Sequence, residues 1–108
     1  MTVWHTNLSS RWQDFPLSQQ IMMINNELNR AANNIEYPQE YANSLERALE
    51  LCDLCSADER WRGNRLKELR RARMILAGMY LTPPQSNTVL MRQLMSLDVD
   101  CWRAYGGD

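Results

Sequence analysis

"PQEYANSLERALELCDLC", residues Pro38 to Cys55, carries its apolar side chains at helical spacing. Tyr41, Leu45, Ala48, Leu49 and Cys52 fall on one face, because neighbours on a helix surface lie three or four residues apart. Pro38 stands where a first helical residue belongs, since its missing amide proton would be unused there, and Glu40 suits the positive end of the helix dipole. The stretch reads as a helix running to about Cys55 that buries one face, and the flanking sequence repeats the pattern.

Upstream, "PLSQQI" opens a first helix, with Ser18 as the expected N-cap and Leu17 just outside it. Leu17, Ile21, Ile24, Leu28, Ala31 and Ile35 keep one apolar face, opposite a run containing Asn25, Asn26, Asn29 and Asn33. Downstream, Asp58 is placed to cap a third helix with the core stripe Leu66, Leu69, Ala72, Leu76 and Tyr80. Pro83 and Pro84 stop it, and Ser86 or Asn87 starts a fourth through Leu90, Leu94, Leu97 and Cys101 to Gly106. Residues 1–15 show no periodicity and read as an extended arm anchored by Trp4, Trp12 and Phe15. Short connections join antiparallel neighbours. The expected fold is all-α: one domain over residues 1–108, an up-down antiparallel bundle of four helices with an N-terminal arm.

Composition agrees, since Leu, Met, Ala, Glu, Arg and Gln dominate and are good helix formers. The net charge of −1 excludes the uniform basic field of a typical nucleic-acid binder. The charge is nonetheless segregated: residues 1–59 carry three basic and nine acidic side chains, while residues 60–73 carry seven basic and one acidic. An odd cysteine count of three, in a chain large enough to need no staples, favours a reducing, cytoplasmic setting. No run approaches the ~18 apolar residues of a membrane span. The start "MTVWHTNLSSRWQDF" lacks a basic region followed by an apolar one, so no signal peptide is expected.

The pair Cys52 and Cys55 raises a redox or metal reading. Redox Cys-x-x-Cys pairs sit at helix N-termini, where the dipole stabilises a thiolate; this one lies at the far end of its helix. A zinc site would need every Cys and His of the chain, namely Cys52, Cys55, Cys101 and His5. Packing is the expectation: Cys52 and Cys101 buried as small hydrophobes, Cys55 at the edge of the stripe, with no metal or cofactor.

Arg60, Arg62, Lys67, Arg70 and Arg71 are candidate contacts for phosphate, with Trp61 available to stack on a base. With Arg65 and Arg73 they do not form one stripe: Lys67 and Arg71 point away from the core, Arg70 and Arg73 flank it, and Arg65 lies on the side of Leu69 and Leu76. A core-side guanidinium needs partners, and Glu46, Glu50 and Asp53 share a flank of the preceding helix. Arg65, Arg73 or both are expected to bond carboxylates there, which makes ion pairing the preferred reading over nucleic acid.

No catalytic set emerges. The single His5 lies in irregular sequence, Glu-x-x-His pairs cannot exist, no Gly-rich phosphate loop appears, and Asp98 and Asp100 point to different sides of a helix. The stretch "SLERALELCDLCSADERWRGNRLKELRRARMIL", residues 44–76, resembles a group of small prokaryotic proteins of unknown role with a pattern like "ERALEL-DL…D…WRG-RLKEL-R-R". The resemblance implies a helical fold of unknown role and adds no activity to this reading. This chain departs from the pattern by its Cys at 52 and 55 and by Asn64.

Apolar residues remain after the core is assigned: Met22, Leu51, Leu54, Met74, Ile75, Met95, Val99 and Trp102. Among them Met74, Ile75, Met95 and Trp102 are the candidate dimer contacts. The expectation is a non-enzymatic, self-associating interaction or structural module, a homodimer or a binder of another protein. The alternatives are a nucleic-acid-binding accessory protein using residues 60–73 and a small metal-binding regulator.

Overall fold

The computed structural model describes residues 8, 10–84 and 88–97. A single 3-10 turn, Trp12–Asp14, precedes four α-helices: α1 Leu17–Asn33, α2 Pro38–Ser56, α3 Gly63–Tyr80 and α4 Thr88–Met95. Each helix packs on its chain neighbour, and α4 returns against α1, which closes an up-down ring. Two contacts fix the register of α2 against α3. Arg73 bonds Asp53, and Tyr80 bonds Glu46; seven residues forward along α3 match seven back along α2, so the two run antiparallel without slip.

The core follows the expected stripes in part: Leu17, Leu66, Tyr80 and Leu97 are only partly buried, and other residues widen it. Ile21, Ile24, Leu28 and Ala31 of α1 meet Tyr41, Leu45, Ala48, Leu49 and Cys52 of α2, with Leu69, Ala72 and Leu76 of α3 and Leu90 and Leu94 of α4 completing the interior. Leu51 and Cys55 are buried too, because α2 touches both α1 and α3 and so needs a broader apolar arc than one stripe. Trp12 carries the described end of the arm into this core.

Several local expectations are corrected. Pro16, not Ser18, occupies the N-cap of α1, and the helix starts at Leu17. Ile35 lies beyond the last turn of α1 and is exposed. Asn25 is buried rather than on the solvent face, because α4 crosses there and the Asn25 Nδ2 donates to the Met91 carbonyl at 3.3 Å. α3 begins later than Asp58, at Gly63, whose φ of +62° is a left-handed value that favours glycine. α4 ends at Met95 with Ser96 and Leu97 in a turn, short of the expected Gly106. His5, Ser86, Asn87, Asp98, Val99, Asp100, Cys101 and Trp102 lie outside the described residues.

Candidate functional site

Two features stand out. One is a polar node buried between the arm and the α2–α3 connection; the other is the outer face of α3.

Gln20, one position before the apolar Ile21, is fully buried where the arm crosses the end of α2. Its Nε2 donates to the Trp12 carbonyl at 2.9 Å and to Asp58 Oδ2 at 3.0 Å. Its Oε1 accepts from Trp61 Nε1 at 2.7 Å and from the Cys55 thiol at 3.6 Å. Asp58 in turn accepts from the Arg60 amide and guanidinium, whose Nη2 also reaches the Phe15 carbonyl at 2.7 Å. One amide therefore ties the arm, α2 and the connection to α3 together. Such a network satisfies groups that would be costly to bury alone.

This node explains why two candidate contacts are not available. Trp61 is only 2% exposed and its indole N–H is spent on Gln20, so it cannot stack on a base. Arg60 is committed to Asp58 and Phe15. Arg65 also departs from expectation: its Nε donates to the Leu97 carbonyl at 2.9 Å, since α4 and not α2 lies on its side. Arg73 pairs with Asp53 through two nitrogens, as expected.

The node titrates in acid. Hydrogen bonds from Arg60, with a further one from Gln20, outweigh burial and hold the Asp58 carboxyl at about 2, against an ordinary 3.8. A depressed carboxyl contributes stability above its unfolded pKa and loses it as pH falls through the folded one. Asp58 is thus expected to contribute about 2 kcal/mol at neutral pH, lost between roughly pH 4 and pH 2. Urea unfolding across that range should show a steeper acid loss in the wild type than in Asp58→Asn. Equal acid slopes would contradict the assignment.

Cys52 and Cys55 are both buried free thiols, so Cys55 does not sit at an accessible edge. Burial pushes the Cys52 thiol up to about 12, with Asp53 adding and Arg73 opposing. Cys55 is pushed further, chiefly by burial and then by neighbouring Cys52. Zinc takes thiolates, so this setting weighs against the metal-binding reading. Among the described residues no group of three or more His, Cys, Asp or Glu side chains is arranged to hold a metal ion.

The outer face of α3 is a different surface. Lys67, Arg71, Met74, Gly78 and Leu81 recur at alternating spacings of four and three residues, the period of a helix–helix seam. All five are exposed, Met74 by 74% and Leu81 by 81%, with Ile75 beside them at 42%. The first half of the stripe is basic, the second apolar. Arg62, Lys67 and Arg70 are exposed with no ion pair among the described residues, while Arg71 bonds Glu68 at 3.2 Å. An open cavity of about 700 Å³, lined by Leu17, Glu59, Arg60, Arg62 and Arg65, lies at the start of the same helix.

No family model, curated protein or solved structure matches the chain. The surface must therefore be read from its own chemistry. Of the candidate dimer contacts, Met74 and Ile75 are exposed on α3, but Met95 is half-buried against the core. Leu51 is buried, and Met22 and Leu54 pack on the core as well, which removes them from the free apolar set.

Proposed function

We propose that this chain is a non-enzymatic helical module that pairs with a second copy through the outer face of α3. The observation that supports it is the set Met74 and Ile75 on α3 and Leu81 at its C-cap, large apolar side chains left in solvent that the monomer's core does not use. Single exposed apolar residues are ordinary, whereas a clustered set rimmed by charge is what interfaces look like. A two-fold dimer is the commonest closed arrangement. The cytoplasm suits it, since Cys52 and Cys55 are free thiols, and among the described residues no helix is long and apolar enough to cross a membrane.

Sedimentation equilibrium at tens of micromolar is expected to give a species of twice the 12.7 kDa protomer mass. Met74→Lys with Leu81→Lys should weaken pairing by about a hundredfold or more, on the scale of losing two apolar anchors. A wild type that stays at protomer mass would end this reading, and a mixed complex with another protein would redirect it.

A second reading rests on Arg62, Lys67 and Arg70, exposed cations without ion pairs among the described residues. They would suit a phosphate backbone, and binding to RNA that falls steeply with salt would favour that role. Its weakness is Trp61, which is no longer available as a stacking platform.

A further inference from the structure

The cavity at the start of α3 gathers three guanidinium groups whose charge its own walls do not fully offset. Two of them are pinned. Arg60 is held by Asp58 and the Phe15 carbonyl, and Arg65 by its Nε on the Leu97 carbonyl. Pinning leaves Arg60 Nη1 and both terminal nitrogens of Arg65 without an acceptor among the described residues. Arg62 lines the same cavity, exposed, and its side chain makes no bond among the described residues. Asp58 balances Arg60 and Glu59 balances one more cation, so the lining keeps a positive excess. Donors fixed in advance lower the ordering cost of binding.

The backbone adds to the same sign. In an up-down ring α1 and α3 run the same way, so their first residues, Leu17 and Gly63, lie at one end of the bundle. Helix starts carry unpaired amides and partial positive charge, and helix ends the reverse. Here the negative ends are satisfied. The last carbonyls of α2 accept from the Ser56 hydroxyl and from the Ala57 and Asp58 amides, and the Leu97 carbonyl past α4 accepts from Arg65. The positive ends are not. Neither α1 nor α3 has a side-chain cap, and the amides of Ser18, Gln19, Asn64 and Arg65 meet no acceptor among the described residues.

Shape and lining narrow the anion. A volume of about 700 Å³ falls in the range of roughly 300–1,000 Å³ typical of small-molecule sites. A nucleic-acid strand needs a track of cations and a stacking face. Lys67 and Arg71 instead lie on the outer face of α3, outside this lining, and Trp61 is buried. Leu17 is the one apolar side chain in the wall, so recognition centres on charge. A planar carboxylate is matched by one guanidinium fork, whereas the tetrahedral oxygens of a phosphoryl group take donors from several directions at once. Three arginines and a helix start supply donors in that way.

We infer that this cavity binds a small phosphorylated molecule by its phosphoryl group, with Arg62 free to close on the anion and Arg60 and Arg65 fixed behind it. The site does not depend on self-association, since Met74 lies about 18 Å further along α3 than Arg62. Inorganic pyrophosphate titrated into isotope-labelled protein should shift the Gly63, Asn64 and Arg65 amide signals first, with a dissociation constant of about 1 mM or below. Arg62→Ala should weaken binding about tenfold and leave the melting temperature unchanged, because that side chain holds nothing in the fold. Lys67→Ala, on the outer face, should stay within about twofold of wild type, and succinate should bind about tenfold more weakly than pyrophosphate. A titration with no saturable shift overturns the site, as does a loss in Lys67→Ala equal to that in Arg62→Ala. Succinate binding as tightly as pyrophosphate overturns the phosphoryl class. Single-stranded RNA that displaces pyrophosphate and depends equally on Lys67 overturns the proposal in favour of a nucleic-acid surface.

Discussion

Trp61→Ala is expected to lower the unfolding free energy by about 4 kcal/mol, the range for deleting a fully buried aromatic ring. Trp61 sits where the α2–α3 connection closes over the core, and its side chain is among the largest that are fully buried. Truncation leaves a cavity and strips Gln20 Oε1 of its 2.7 Å donor. Trp61→Phe separates the two effects. It keeps most of the apolar contact and loses the indole N–H, so about 1–2 kcal/mol is expected from the unmade bond. Denaturant unfolding with an unchanged slope checks both values. If Trp61→Ala costs under about 1 kcal/mol, the ring is not packed as described.

Gln20→Leu is expected to cost about 3 kcal/mol, although it places an apolar side chain of similar size in a buried position. The usual gain from such a swap needs both partners of each bond to become apolar. Here the partners remain. The Trp61 indole N–H, the Trp12 carbonyl and the Asp58 carboxylate stay in place with their bonds to Gln20 gone. A buried group left without a partner costs roughly 1–3 kcal/mol, and the Trp61 indole N–H becomes one, whereas the Trp12 carbonyl keeps the Phe15 amide at 3.2 Å and Arg60 still holds Asp58. Because Gln20 and Trp61 share a bond, the double variant should cost less than the two singles together. A Gln20→Leu protein as stable as wild type would show that the node contributes no net stability.

Helix positions and the main core stripe could be read from periodicity, because apolar spacing along α1 and α2 is dictated by the face each helix buries. Tyr41, Leu45, Ala48, Leu49 and Cys52 all lie where that spacing sets them. The node could not be read that way. Gln20 is polar and its partners Asp58 and Trp61 are 38 and 41 residues distant, so only the path of the chain brings them together. Asn25 and Leu51 were misplaced for a related reason: a helix in a closed ring touches two neighbours, which broadens its buried arc beyond one stripe. Arg65 illustrates the limit for charged residues. Its core-side position was legible, but whether it meets a carboxylate or a backbone carbonyl depends on which helix lies alongside. On α3 the exposed face is visible in the sequence as leftover apolar residues, Met74 and Ile75 among them.

α4 spans only eight residues, Thr88–Met95. Isolated helices shorter than about 12–15 residues are marginal in water, so α4 holds its shape through what it touches. Among the described residues those contacts are Leu90 and Leu94 in the core, Met91 and Met95 packed against it, the Asn25 bond to Met91, and the Arg65 bond to Leu97 just past its end. Loss of either tether removes a polar link without disturbing the larger α1–α2–α3 packing. The ring therefore has a weak wall: a small cooperative unit whose release costs less than global unfolding, and whose opening would bare the α1 and α3 flanks that it covers.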